Sequence, residues 1–122
     1  MSVLDTLLRM EIPQPQTKKF KVKRLSKICG EPVEFTLKEL PFSRVAEIKQ
    51  TNGGEDMDVH IVLAGVVEPN LRDKALMEKY SALTPAELVK KLLSAGEIAS
   101  LSREIEKLSG YRVETLEEIK KN

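Results

Sequence analysis

Residues 2–10 place Leu4, Leu7 and Leu8 on one stripe of a short amphipathic helix. Nine residues is marginal for a helix standing alone in water, so this one must dock somewhere or fray. The run Ile12-Pro13-Gln14-Pro15-Gln16 reads as an extended linker, because each proline bars the helical conformation at the residue before it. The pattern then changes to period two. Phe20 and Val22 alternate with Lys19, Lys21 and Lys23 over 19–23, and Val33, Phe35 and Leu37 alternate with Glu34 and Thr36 over 33–37. Such alternation signals half-buried strands. Cys29, Gly30 and Pro32 supply turn or breaker positions between them, so a β-hairpin over 18–38 is expected. A lone hairpin is marginal, so its apolar face requires helices over it.

Helical patterning follows. Pro41 opens a helix of about ten residues with Phe42, Val45, Ala46 and Ile48 apolar, ending near Asn52-Gly53-Gly54. Residues 55–68 are apolar nearly all round, which fits a buried strand or a buried helix; their length and acidic start favour a helix ending before Pro69. A short helix is expected over 73–80. Thr84-Pro85-Ala86-Glu87 has capping-box spacing with proline at the first helical position. Ser94-Ala95-Gly96-Glu97 repeats that spacing and opens a helix whose stripe is Ile98, Leu101, Ile105 and Leu108. Gly110 is placed to end it in a left-handed conformation, with Tyr111 folding back onto Ile105. Thr115 and Glu118 predict a final weak helix down to Asn122. The expected fold class is α+β: a predominantly helical single domain with one small antiparallel β-hairpin packed on helices. Residues 1–17 form a short helix and proline-containing linker, and 18–122 form the domain, with hairpin 18–38 and helices 41–122.

Composition narrows the chemistry. No apolar run approaches the roughly twenty residues of a membrane span, and 1–10 does not read as a secretory signal. One cysteine, Cys29, forbids an internal disulfide and suits a reducing cytosol. With the single histidine, His60, it cannot supply the roughly four ligands of a structural zinc. Glu55, Asp56 and Asp58 fit no calcium loop and are expected at a helix start for dipole reasons alone. No phosphate-binding glycine loop and no nucleophile elbow occurs. No catalytic residue, cofactor or metal ligand is therefore assigned, and the profile favours a binding or assembly protein over an enzyme.

Charge sharpens the picture. Twenty basic groups nearly cancel nineteen acidic ones, which disfavours a dedicated nucleic-acid-binding domain. The halves differ, however: residues 1–49 carry a balance of +4 and residues 50–122 a balance of −3. The basic excess sits in Lys18, Lys19, Lys21, Lys23, Arg24 and Lys27. That polarity predicts salt-sensitive, head-to-tail self-association through 18–27. The alternative from another class is a small nucleic-acid-associated regulator using the basic hairpin.

Three blocks of sequence carry a resemblance. They are Lys23-Arg24-Leu25-Ser26 with Gly30-Glu31-Pro32, then Gly65 through Asp73, then Leu92-Leu93-Ser94-Ala95-Gly96-Glu97-Ile98 with Leu108-Ser109-Gly110-Tyr111. In order and spacing they resemble the XkdN-like tail assembly chaperones of phages and prophages of Gram-positive bacteria. Members often carry proline before the Gly-Glu-Ile; here Ala95 stands there, and Ser94 still caps. The resemblance implies a non-enzymatic protein that coats the tape-measure protein and helps recruit tail-tube subunits. It implies action in the host cytoplasm and absence from the mature virion. It also implies a longer product made by ribosomal frameshifting, with Lys120-Lys121 as a candidate slippery site. The implied partners are the tape-measure protein, the tail-tube protein and that longer form, with no membrane. Gly96, Glu97, Gly110 and Tyr111 are read as fold determinants through capping, and partner-contact residues are left unassigned.

Overall fold

A computed structural model describes residues 2–120. Strands β1 (Thr17–Lys21) and β2 (Glu34–Lys38) pair antiparallel, with Phe20 opposite Phe35 and Lys21 opposite Glu34. The pairing continues past both strand ends. Val22 N–H donates to Val33 C=O at 2.9 Å, and Glu39 N–H donates to Gln16 C=O at 2.9 Å. Phe35 and Leu37 on the inner face of β2 are fully buried.

The connection between these strands is not the expected turn. Residues Lys23–Cys29 form a helix, α2, which Gly30 ends in a left-handed conformation at φ 73°. The sequence there hides a helix inside a basic, strand-like run: Val22, Leu25 and Ser26 turn inward at helical spacing and are buried. Ser26 Oγ accepts the Val33 N–H at 2.8 Å, which closes the loop onto β2.

A second correction concerns 55–68. A 3₁₀ turn (Gly54–Asp56) leads into α4 (Met57–Gly65), and the chain then becomes strand β3 (Val66–Glu68). The sheet is therefore three-stranded, in order β1-β2-β3 with β2 central and all pairs antiparallel. Both readings of that apolar stretch hold in part. Its first two-thirds are a buried helix, and its β-branched end extends to pair with Thr36 and Leu37 across a register shift.

The remaining elements are α3 (Phe42–Thr51), α5 (Lys74–Lys79), α6 (Pro85–Leu92) and α7 (Ala95–Leu108). Thr84 caps α6 by accepting the Glu87 N–H, but the Glu87 carboxylate reaches back to Leu83 N–H rather than to the cap itself. The Ser94/Glu97 capping box is complete. At the other end of α7 Gly110 sits at φ 94°, Gly110 N–H donates to Lys107 C=O, and Tyr111 N–H donates to Glu106 C=O. This pair of bonds is a Schellman closure, and Tyr111 returns to the core edge beside Ile105 as its spacing predicts.

α4 and α7 pack face to face at the centre of one core, with α3, α6 and the sheet around them. Gly65 permits their contact: a Cβ there would lie 2.5 Å from Ile105 Cδ1. The expected final helix is absent over 115–120, which is exposed and without regular structure; its last two residues lie outside the described residues. The first helix, α1 (Val3–Arg9), does form, with a complete Ser2/Asp5 capping box.

Candidate functional site

The residues that carry the resemblance meet in space. Arg24 opens α2, and Glu97 is the acidic member of the α7 capping box. Arg24 Nε donates to Glu97 Oε2 at 3.0 Å, and Nη2 donates to Glu97 Oε1 at 2.8 Å and to Leu92 C=O at 2.9 Å. Glu97 Oε1 also accepts the Ser94 N–H at 2.7 Å. One guanidinium thus joins α2 to the α6–α7 corner through a two-pronged pair, the geometry that makes arginine more selective than lysine here. The Arg24 hydrogen bond is the main cause holding the Glu97 carboxyl below the usual range; burial opposes it and the Ser94 N–H assists it. Arg24 is correspondingly raised, chiefly by its bond to Glu97. Nothing in the sequence pairs positions 24 and 97, since residues 73 apart carry no shared period.

Two further contacts link the blocks. Ser109 Oγ donates to Ile105 C=O and accepts the Leu40 N–H at 2.9 Å, which fixes the loop after β2 to the end of α7. Buried Ser102 donates to Asp58 Oδ1 at 2.7 Å, joining α7 to α4. Asp56 and Asp58 face separate partners, because Asp56 pairs with Lys90 at 2.9 Å while Asp58 takes the Ser102 hydroxyl. That ion pair, first through its hydrogen bond, lowers the Asp56 carboxyl. Cys29 is exposed at the end of α2, and His60 is half-buried within α4. Among the described residues no group of three or more His, Cys, Asp or Glu is arranged to hold a metal, and no helix is long and apolar enough to cross a membrane.

The surface features that remain are an open groove, a row of exposed lysines and exposed apolar side chains. Between β1, the start of α2 and one flank of α7 lies an open groove of about 560 Å³. Phe20, Val22 and Leu101 give it an apolar floor, and Lys21, Lys23 and Glu104 stand at its sides. Glu97 and Glu104 are engaged in ion pairs with Arg24 and Lys107, whereas Lys21 and Lys23 make none among the described residues. Lys18, Lys19, Lys21, Lys23 and Lys27 are all exposed, as the alternation predicts. Lys18 differs in lying over the Phe20 ring, its ammonium 5.4 Å from the centroid. Apolar surface is exposed at both flanks of the domain. On α1, Val3, Leu4, Leu7 and Leu8 are all at least 58% exposed. Beyond α7, Leu116 and Ile119 are each 91% exposed.

The chain is thus a small α+β domain, clamped internally by Arg24 and Glu97 and carrying exposed apolar side chains on α1 and beyond α7. The model for the Phage XkdN-like tail assembly chaperone protein matches residues 4–121, and the chain belongs to this family. It is 28% identical over 135 residues to the phage-like element PBSX protein XkdN of Bacillus subtilis (strain 168), covering 96% of this chain and 88% of that protein. Its fold is similar to the crystal structure of the protein YqbN, with a TM-score of 0.61 and 25% identity, over 79% of this chain and 87% of that one. Membership implies a role in phage tail assembly through protein partners, a binding role and not a catalytic one.

Proposed function

We propose that this protein coats the tape-measure protein during tail morphogenesis, keeps it unaggregated, and helps bring tail-tube subunits to it. The observation that carries the reading is the family match across nearly the whole chain, 4–121. The surface supports it: α1 offers a capped helix with an unburied apolar stripe, joined to the domain by an exposed, proline-interrupted linker. Such a surface suits many weak contacts along a long partner, which gain strength through avidity. On this reading the protein acts in the bacterial cytoplasm, is left out of the finished virion, and works beside a longer frameshifted form of itself. The domain that does this work is 18–122, with 1–17 as its appended arm.

Co-expression with a tape-measure fragment tests the proposal. Co-purification, together with a larger soluble yield of the fragment, is the expected result. A fragment that stays insoluble and unbound, while the protein shows salt-dependent retention on random DNA, would reverse it in favour of a nucleic-acid role. The frameshifted partner is tested separately by the coding DNA: an overlapping downstream frame and a slippery heptamer are expected.

A further inference from the structure

We infer that the outer edge of β1 takes up an extended segment of a partner protein as an antiparallel fourth strand, one in which acidic residues alternate with apolar ones. The inference deepens the chaperone reading and rests on it for the existence of such a partner.

β1 stands at the end of the sheet, whose order is β1-β2-β3. Its bonds toward β2 fall on even-numbered residues. Gln16 C=O accepts from Glu39 N–H, and Val22 N–H donates to Val33 C=O, in register with Phe20 opposite Phe35. An antiparallel ladder alternates bonded with non-bonded pairs, so Thr17, Lys19 and Lys21 turn their N–H and C=O groups away from β2. All three residues are exposed, and their outward groups find no hydrogen-bond partner among the described residues. Such an edge is a template for one more strand, and main-chain bonds along it hold an extended segment whatever its sequence.

Side chains decide which segment is accepted. Lys19 and Lys21 stand on the outer face of the sheet and make no ion pair among the described residues, although Glu34 lies opposite Lys21. Phe20 stands on the inner face, half-buried, in the groove it shares with Leu101 of α7. In an added strand every second side chain joins the outer face and the rest turn inward. Carboxylates therefore suit the positions beside the lysines, and apolar side chains suit those beside Phe20.

The exposed segments of this chain do not meet that description. The extended linker 10–16 has Glu11 as its only acid and is interrupted by Pro13 and Pro15. Segment 113–119 spaces Val113, Leu116 and Ile119 by three, which a strand splits between its two faces. Pairing β1 with the β1 of a second copy sets lysine against lysine. The occupant is accordingly another protein.

Fluorescence anisotropy with the purified full chain tests it. The probe is a short, capped, labelled peptide alternating glutamate with valine. Binding that weakens with salt is expected. In the proposed register the glutamate amides face Lys19 and Lys21, and the valine amides face away. N-methylation of the glutamates should therefore weaken binding by about tenfold or more, and N-methylation of the valines should not. Lys19→Pro removes one outward N–H, spares the ladder to β2, and should lose the peptide. K19E/K21E should lose it too and bind a lysine–valine peptide instead. Both variants should keep the wild-type circular dichroism spectrum. A wild type that ignores the peptide, methylation effects that are equal or reversed, or a K19E/K21E variant without the exchanged preference would overturn it. So would Lys19→Pro altering the sedimentation of the free protein, which would give the edge to a second copy. A tape-measure fragment retained equally by wild type and Lys19→Pro would overturn it while the chaperone reading stands. A fragment that ignores both, with the peptide bound as expected, would remove the chaperone reading and keep the strand-binding edge.

Discussion

Helices α1 and α7 begin in the same way and end up in opposite environments. Each opens with a serine cap and a reciprocal carboxylate three residues on, and each carries a leucine or isoleucine stripe. α7 buries Ile98, Leu101 and Ile105 against α4 and β2, and Ile105 is wholly enclosed. α1 buries nothing. The difference teaches that a cap and a stripe specify a helix and the side it offers, while burial depends on whether the chain brings a second surface to that side. For α7 the surface is α4, admitted by Gly65. For α1 the exposed linker through Pro13 and Pro15 leaves the stripe outside the core.

The comparison is broken most forcefully at Ile105. Ile105→Ala should cost about 2–5 kcal/mol in urea unfolding, the cost of a cavity in a fully buried site. Leu7→Ala, the same kind of truncation on α1, should stay within about 0.5 kcal/mol of wild type. Equal losses at the two sites would mean that α1 is part of the cooperative fold. Gly65→Ala should cost about 1–3 kcal/mol through overpacking against Ile105. The pair G65A/I105A should cost less than the sum of its single changes, because the truncated side chain makes room for the new methyl. Ser94→Ala should lose about 1 kcal/mol of global stability, and Ser2→Ala none, although the two serines make the same cap.

The acid side offers a smaller contrast. The Glu97 carboxyl titrates lower in the folded chain than in the unfolded one, principally because of Arg24. Its stabilisation is therefore complete above the ordinary carboxylate range and is lost as pH falls through the depressed folded value. Asp56 and Glu87 act in the same direction. The urea midpoint should fall with acidification, and E97Q should flatten part of that fall while starting from a lower value at neutral pH. The smallest effect is expected in amide exchange. The α1 amides should exchange far faster than those of α7, and L4S/L7S should leave α7 protection unchanged.

Much of the fold was legible because the signals were local. The two paired strands were marked by alternation around Phe20 and Phe35. The closure of α7 was marked by Gly110, since a left-handed cap needs a residue without Cβ strain. What escaped was decided at a distance. The run 23–29 looked like strand and turn because its lysines mask a helical trio, Val22, Leu25 and Ser26, whose inward side is defined only once β2 lies beside it. Residues 66–68 looked like the end of a helix because a β-branched apolar run suits both states, and the open edge of β2 chose between them. The Arg24–Glu97 clamp was invisible for the same reason: each residue had a sufficient local explanation, arginine in a basic run and glutamate in a capping box.

The sequence by itself determined the starts of α1, α6 and α7 and the closure of α7 at Gly110, which stretches are apolar, and that charge is basic early and acidic late. It could do so because caps, periodicity and charge act within one or two turns of chain. The tertiary structure alone decided which apolar faces are buried, that the sheet takes a third strand, and that Lys21, Lys23 and Glu104 border one open groove with Phe20, Val22 and Leu101. Those outcomes depend on surfaces brought together from residues far apart in the chain.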